Sequence, residues 1–151
     1  MPTDVRLYWE SCVFIDLLEK TPGRFEHLAP IVEEAERGGL TIVTSTLSLC
    51  EVVSLRHLST LVDDEIEDRI RDYFENPYLY LKPVDRFVAE RARSIAREYR
   101  IKPLDSVHVA SAIMLQAPIM HTYDGKLLGL TQRIQGLRIE RPGGSAPNSV
   151  T

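Results

Sequence analysis

The chain has only two cysteines, none in a CxxC pair, and no HExxH segment occurs in it. Zinc sites built on those spacings are excluded. There is no GxxxxGK[ST] and no GxGxxG, which removes the phosphate-cradling loops of common nucleotide-binding folds. No apolar run approaches the roughly 20 residues of a membrane span. The opening Met1-Pro2-Thr3-Asp4-Val5-Arg6 has no basic segment leading into an apolar one, so no secretory signal is read. Positive charge is not in excess either. The 18 Lys+Arg against 22 Asp+Glu leave a net charge of −4, which weighs against a protein that coats nucleic acid by bulk electrostatics. An enzyme acting on RNA through a local basic patch stays open. Cys12 and Cys50 both lie in apolar runs and read as reduced, small core residues. The expected location is the cytoplasm, with no membrane attachment.

What is present is ordinary bulk and an unusual distribution of acids. At 151 residues, 44% apolar and 26% charged, the chain suits one globular domain with a real core. Apolar runs at 5–9, 40–44, 78–81, 118–122 and 137–140 read as strands. Helical periodicity covers 12–20, 25–37, 62–75, 85–100 and 125–135, with a further helix running from Ser45 or Thr46 through about Leu58. Pro22-Gly23 and Gly38-Gly39 mark stops, and Asp85 is a helix cap. Pro103 breaks the chain before a helix from Asp105 to about Leu115. Strand alternating with helix predicts an α/β fold with a parallel sheet covered on both faces, whose ligands bind beyond the carboxyl ends of the strands. The domain is expected to span 1–140, with a Pro/Gly/Ser-rich, flexible tail at 141–151.

Four carboxylates sit at the ends of, or inside, apolar elements. Glu10 ends the first strand, Glu51 interrupts Leu49-Cys50-Glu51-Val52-Val53, Asp105 opens a helix, and Asp124 follows Ile119-Met120-His121-Thr122-Tyr123. Each has a plain structural reading. Glu51, with Leu47 and Leu55 four residues to either side, can pair with an arginine at the core edge. Asp105 can cap its helix, Asp124 can shape an Asp-Gly turn, and Glu10 can start the first helix. Their conjunction implies instead one acidic pocket, because a buried carboxylate is costly unless paired, hydrogen-bonded or metal-bound. An all-oxygen set suits a hard cation, Mg2+ with Mn2+ able to substitute. Phosphodiester hydrolysis is the chemistry that follows. The run Asp63-Asp64-Glu65-Glu67-Asp68 reads as a solvated helix start, and His108 as a core residue or a support behind the acids.

Tyr8-Trp9-Glu10-Ser11-Cys12-Val13-Phe14-Ile15 resembles the first motif of PIN-domain proteins. Thr44-Ser45 with Glu51 resembles their second, Leu104-Asp105-Ser106-Val107-His108-Val109-Ala110 their third, and Thr122-Tyr123-Asp124-Gly125-Lys126-Leu127 their fourth. The resemblance runs from Leu7 to about Ile139. It implies a three-layer α/β/α sandwich with a central parallel sheet and a metal-dependent ribonuclease site, in many members of this size the toxin of a VapC-type pair neutralised by a cognate antitoxin. By that analogy Glu10, Glu51, Asp105 and Asp124 ligate magnesium directly or through water, and Ser11 and Thr122 support them. Family members also often form homodimers. Glu10 departs from the pattern, since the first acid is usually Asp. One extra methylene is a shift to which site geometry is sensitive.

For RNA contact, Arg93, Arg97 and Arg100 share a helix face, and Lys126 lies two residues beyond Asp124. Competing readings are a PIN-like RNA- or protein-binding module that cleaves weakly or not at all, motivated by Glu10, and a hydrolase of small phosphate esters, which lacks an Asp-x-Asp pair.

Overall fold

Five short strands carry the architecture: β1 (Arg6–Trp9), β2 (Thr41–Ser45), β3 (Leu79–Lys82), β4 (Ile119–His121) and β5 (Arg138–Glu140). They form one all-parallel sheet in the order β3-β2-β1-β4-β5. In this computed structural model residues 5–53, 55 and 63–144 are described. The helices are α1 (Ser11–Glu19), α2 (Phe25–Glu36), α3 (Leu47–Glu51), α4 (Asp63–Phe74), α5 (Arg86–Tyr99), α6 (Pro103–Met114) and α7 (Gly125–Leu128).

Alternation along β1 divides the core. Tyr8 points to one face, where Val43, Met120 and Ile139 join Val88, Ala92 and Ile95 of α5 and Val109, Ala110 and Ala112 of α6. Leu7 and Trp9 point to the other, packing with Ile42 and Leu79 against Val13, Phe14 and Leu17 of α1, Leu28 of α2 and Ile70 and Phe74 of α4. The parallel sheet covered on both faces that the periodicity predicts, and the three-layer α/β/α sandwich that the resemblance implies, are therefore present. The inner strands are buried on both faces: every residue of β2 is buried. The edge strand β3 leaves Tyr80 exposed. Inner strands of this kind read as near-continuous apolar runs, whereas the edge strand β5, Arg138-Ile139-Glu140, alternates with one buried residue between two polar ones.

Local signals set several boundaries. Asp85 caps α5 by accepting a hydrogen bond from the Val88 N–H (2.9 Å). Gly38 takes φ +84 beyond α2, a left-handed turn that glycine adopts without a Cβ clash. Asp64, Glu65, Glu67 and Asp68 near the start of α4 are exposed, as expected of a solvated face, with Glu67 and Asp68 paired to Arg71 one turn on. Four expectations need correction. Pro103 opens α6 rather than breaking the chain before it, since proline suits a first turn whose N–H has no partner. Asp105 accordingly lies inside that first turn and is not the cap, which is Lys102. Helix α3 stops at Glu51, where Val52 leaves helical geometry at ψ 80, so Leu55 is buried but not one turn along the same helix. The last helix ends at Leu128, not near residue 135, the chain continuing in turns.

The cysteines also differ from expectation: both are free, but Cys12 is half-buried and Cys50 exposed. The stretch 145–151 lies outside the described residues, as does most of the segment from 54 to 62. Among the described residues no helix is long and apolar enough to cross a membrane.

Candidate functional site

The carboxyl ends of β1, β2 and β4 open onto the acids. Glu10 is the residue at which the extended chain of β1 turns into α1, its N–H still paired with the His121 carbonyl (3.2 Å). Thr122 stands in the same position beyond β4, its N–H on the Glu140 carbonyl (3.2 Å). The two are therefore neighbours, and the Thr122 hydroxyl donates to Glu10 Oε1 at 2.8 Å. The Cys12 thiol also donates to Glu10 Oε1, at 2.9 Å. Burial beside Glu10 pushes the Cys12 thiol well above its ordinary range, so it stays a proton carrier. The longer side chain of Glu10 is thus held at its tip by two donors. The same Thr122 oxygen accepts from the Asp124 N–H (3.1 Å), linking the first acid to the fourth. Asp124 caps α7, with Oδ2 accepting from the Leu127 N–H at 3.1 Å, which uses one of its two oxygens.

Glu51 arrives from β2 through α3. That short helix begins where Ser45 Oγ accepts from the Leu47 N–H (2.9 Å), and Glu51 is its last residue. Its Oε1 accepts from the Ser11 hydroxyl and lies 2.7 Å from His108 Nε2. Burial alone would raise the Glu51 carboxyl, but the His108 and Ser11 hydrogen bonds outweigh it and bring it below the usual carboxylate range. His108 is almost wholly enclosed, its Nδ1 2.7 Å from Tyr8 Oη. Behind Glu51 the hydroxyls of Ser48 and Thr44 are paired at 2.7 Å, and Thr44 donates to the Trp9 carbonyl at 2.8 Å.

Asp105 has the opposite electrostatics. Half-buried on the first turn of α6, it is pushed up by burial, then by the negative charges of Asp124 and Glu10, with His108 and Lys102 partly offsetting them. Asp105 thus feels Asp124 and Glu10, whereas Glu51 is not among the charges that move it. Glu10, Glu51 and His108 each offer a ligand atom within 4.8 Å of the others, a grouping able to hold a metal ion. Ligands of one octahedral magnesium lie at most about 4.2 Å apart, twice the ~2.1 Å bond, so a small closure suffices.

Ser11 and Thr122 are both buried, and each is hydrogen-bonded to an acid. Lys126 is exposed in α7 beside Asp124. Arg93 and Arg97 lie on the solvent face of α5, opposite Val88, Ala92 and Ile95, and are not among the charges that shift the acids. Sequence reasoning missed Lys102, the cation acting on Asp105, and Cys12, the second donor to Glu10. It also left His108 unattached to Glu51, although His108 follows Asp105 by three residues and so shares its helix face. A depression of about 600 Å³ between α1, α2 and α4, lined in part by Leu17, Phe25, Val32, Tyr73 and Tyr78, contains none of the four acids.

An all-parallel α/β sandwich with acids gathered at its strand ends defines the class. The sequence from 7 to 130 matches the family model of the PIN domain, and the chain belongs to that family. A solved structure described as a toxin-antitoxin complex from Klebsiella pneumoniae is similar in fold, with a TM-score of 0.56 at 18% identity, covering 87% of this chain and 94% of that one. No curated protein matches the sequence.

Proposed function

We propose that this protein is a Mg2+-dependent endoribonuclease that hydrolyses RNA phosphodiester bonds, the toxin of a toxin–antitoxin pair, with Mn2+ able to replace Mg2+. The observation that carries the reading is the convergence of Glu10, Glu51 and His108 within 4.8 Å of one another at the ends of parallel strands, with Asp105 close enough to feel the charges of Asp124 and Glu10. Membership of the PIN family supports the nuclease chemistry, and the complex with an antitoxin in the similar structure supports the partner. Carboxylate oxygens suit a hard cation, and Glu10, Glu51, Asp105 and Asp124 would hold it directly or through water. When bound, the ion would supply an activated water and neutralise charge on the scissile phosphate.

The chain's own residues do the rest. Thr122 and Cys12 hold the tip of Glu10, and Ser11 and His108 hold Glu51, so two acids are largely in place to receive a cation. Asp105, unfavourably charged among its neighbours, gains most from a cation. Lys102 and Lys126, both exposed near the acids, are placed to meet the RNA backbone as it approaches a pocket that would otherwise repel it.

The test is cleavage of a mixed pool of structured RNAs with Mg2+, wild type beside Asp105→Asn, with chelator as control. Metal-dependent cutting that the variant loses is the expected result; equal cutting by both contradicts the reading. A second reading, a PIN-like module that binds but does not cleave, is favoured by one observation, the glutamate at position 10. It predicts a silent wild type and cleavage that appears only in Glu10→Asp.

A further inference from the structure

A ligand atom of His108 lies within 4.8 Å of those of Glu10 and Glu51, yet its two ring nitrogens are both engaged on protein groups, the half-buried Glu51 and the buried Tyr8. Nε2 faces Glu51 Oε1 at 2.7 Å and Nδ1 faces Tyr8 Oη at 2.7 Å. For a neutral ring these contacts allow one assignment. A carboxylate only accepts hydrogen bonds, so Nε2 carries the hydrogen and donates it to Glu51. The neutral ring then leaves Nδ1 as an acceptor for the phenolic O–H of Tyr8, which is itself fully buried on β1 and edge-on to the imidazole. Ser11 donates to the same Glu51 oxygen. Among the described residues both of these donors fall on Oε1, so Oε2 is the oxygen left for a cation.

We infer that Tyr8 and His108 are positioning residues: the Tyr8 hydroxyl sets the tautomer of His108, and His108 turns Glu51 towards the ion as a hydrogen-bond donor and not as a metal ligand. The inference rests on the reading of Glu51 as a cation ligand and adds the device that aims it. Partners that orient a ligand in this way govern metal affinity without touching the metal. The chain of contacts starts in the core of the sheet, on a residue three steps from the ion, and reaches the site through one ring.

Two measurements test it, neither depending on RNA. In uniformly 15N-labelled protein, the two ring nitrogens of His108, assigned by their disappearance in His108→Gln, report the tautomer before and after saturating Mg2+, which is diamagnetic. Nε2 protonated and Nδ1 unprotonated in both states is the expected result. An unprotonated Nε2 without metal, or loss of its proton on adding Mg2+, overturns the inference and makes His108 a ligand. The second measurement is calorimetric affinity for Mn2+ in wild type and Tyr8→Phe, which keeps the ring and its packing. A drop of about tenfold is expected, the lower end of the range for partners of metal ligands. Unchanged affinity overturns the inference. If Tyr8→Phe does not fold, the tautomer of the wild type decides alone. A wild type that binds neither ion removes the cation ligand on which the inference stands, whereas failure of Asp105→Asn to alter RNA cleavage would strike the proposed reaction and leave the His108 result intact.

Discussion

Glu51 and Asp105 are both half-buried carboxylates facing one pocket, and their protonation equilibria move in opposite directions. For each the largest influence is burial, which raises it. Glu51 ends below its ordinary range because His108 and Ser11 donate hydrogen bonds to it. Asp105 ends above because its nearest charged neighbours include two more acids. What separates them is the neighbourhood and not the depth: one acid is anchored by donors, and the other is held among like charges. The anchored half of the site gives geometry. The repelled half gives the drive to take up a cation.

The largest effect expected from breaking this asymmetry is on the reaction. Glu51→Gln removes the anchored charge while keeping the side chain's shape, and should lower Mg2+-dependent RNA cleavage on the order of a hundredfold, the upper end of the range for groups bordering a metal site. Initial rates across a magnesium titration check it. Rates within twofold of wild type would mean that Glu51 is a structural acid.

His121, a third buried group, shows the same rule from the basic side. It is buried, its Nδ1 accepts from Trp9 Nε1–H at 3.2 Å, and burial with the Arg138 charge brings it down to about 4. The folded state therefore binds fewer protons than the unfolded chain between about pH 6.5 and 4. Stability present above that window is lost as pH falls through it, by about 3 kcal/mol at one pKa unit per 1.36 kcal/mol. Denaturant midpoints in His121→Gln should show a flatter acid limb than wild type.

Ser11→Ala sharpens the comparison by removing one of the donors that distinguish the two acids. It should cost about 1 kcal/mol of stability, the worth of a typical hydrogen bond, and move the Glu51 carboxyl back towards its ordinary range. A carboxyl-carbon NMR titration of Glu51 reads the shift directly.

The smallest effect carries the clearest sign. In metal-free protein at neutral pH, Glu51→Gln removes a charge that the fold stabilises, so it should lower the unfolding midpoint. Asp105→Asn removes a charge that the fold opposes, so it should raise it slightly. The linkage agrees: Glu51 contributes stability that is lost as pH falls through its lowered range, whereas the Asp105 penalty is relieved as pH falls through its raised one. Shifts of the same sign in thermal melts would erase the distinction between the two acids.

Much of this was readable before the coordinates, and the part that was not has a physical pattern. The strands declared themselves because Leu7-Tyr8-Trp9 and Ile42-Val43-Thr44 are buried on both faces. The acids stood out individually because charge among apolar neighbours needs a reason. Helix ends were less legible. Leu47, Glu51 and Leu55 keep helical spacing, yet the helix stops at Glu51, and Pro103 looked like a break when it was a first turn. Least legible were the links that depend on register. His108 and Glu51 are 57 residues apart, and Tyr8 and His108 are 100 apart. They meet only because β1 pairs with β2 while α6 packs against that face. No local pattern announces such a contact.

The most direct test of the account is a calorimetric titration of Mg2+ into metal-free wild type and Asp105→Asn, run without RNA in buffers of different ionisation heat. The account predicts saturable binding by the wild type that is much weakened in the variant, with proton release that grows as pH falls towards the raised range of Asp105. Absence of binding, or binding undiminished by the loss of Asp105, would contradict it.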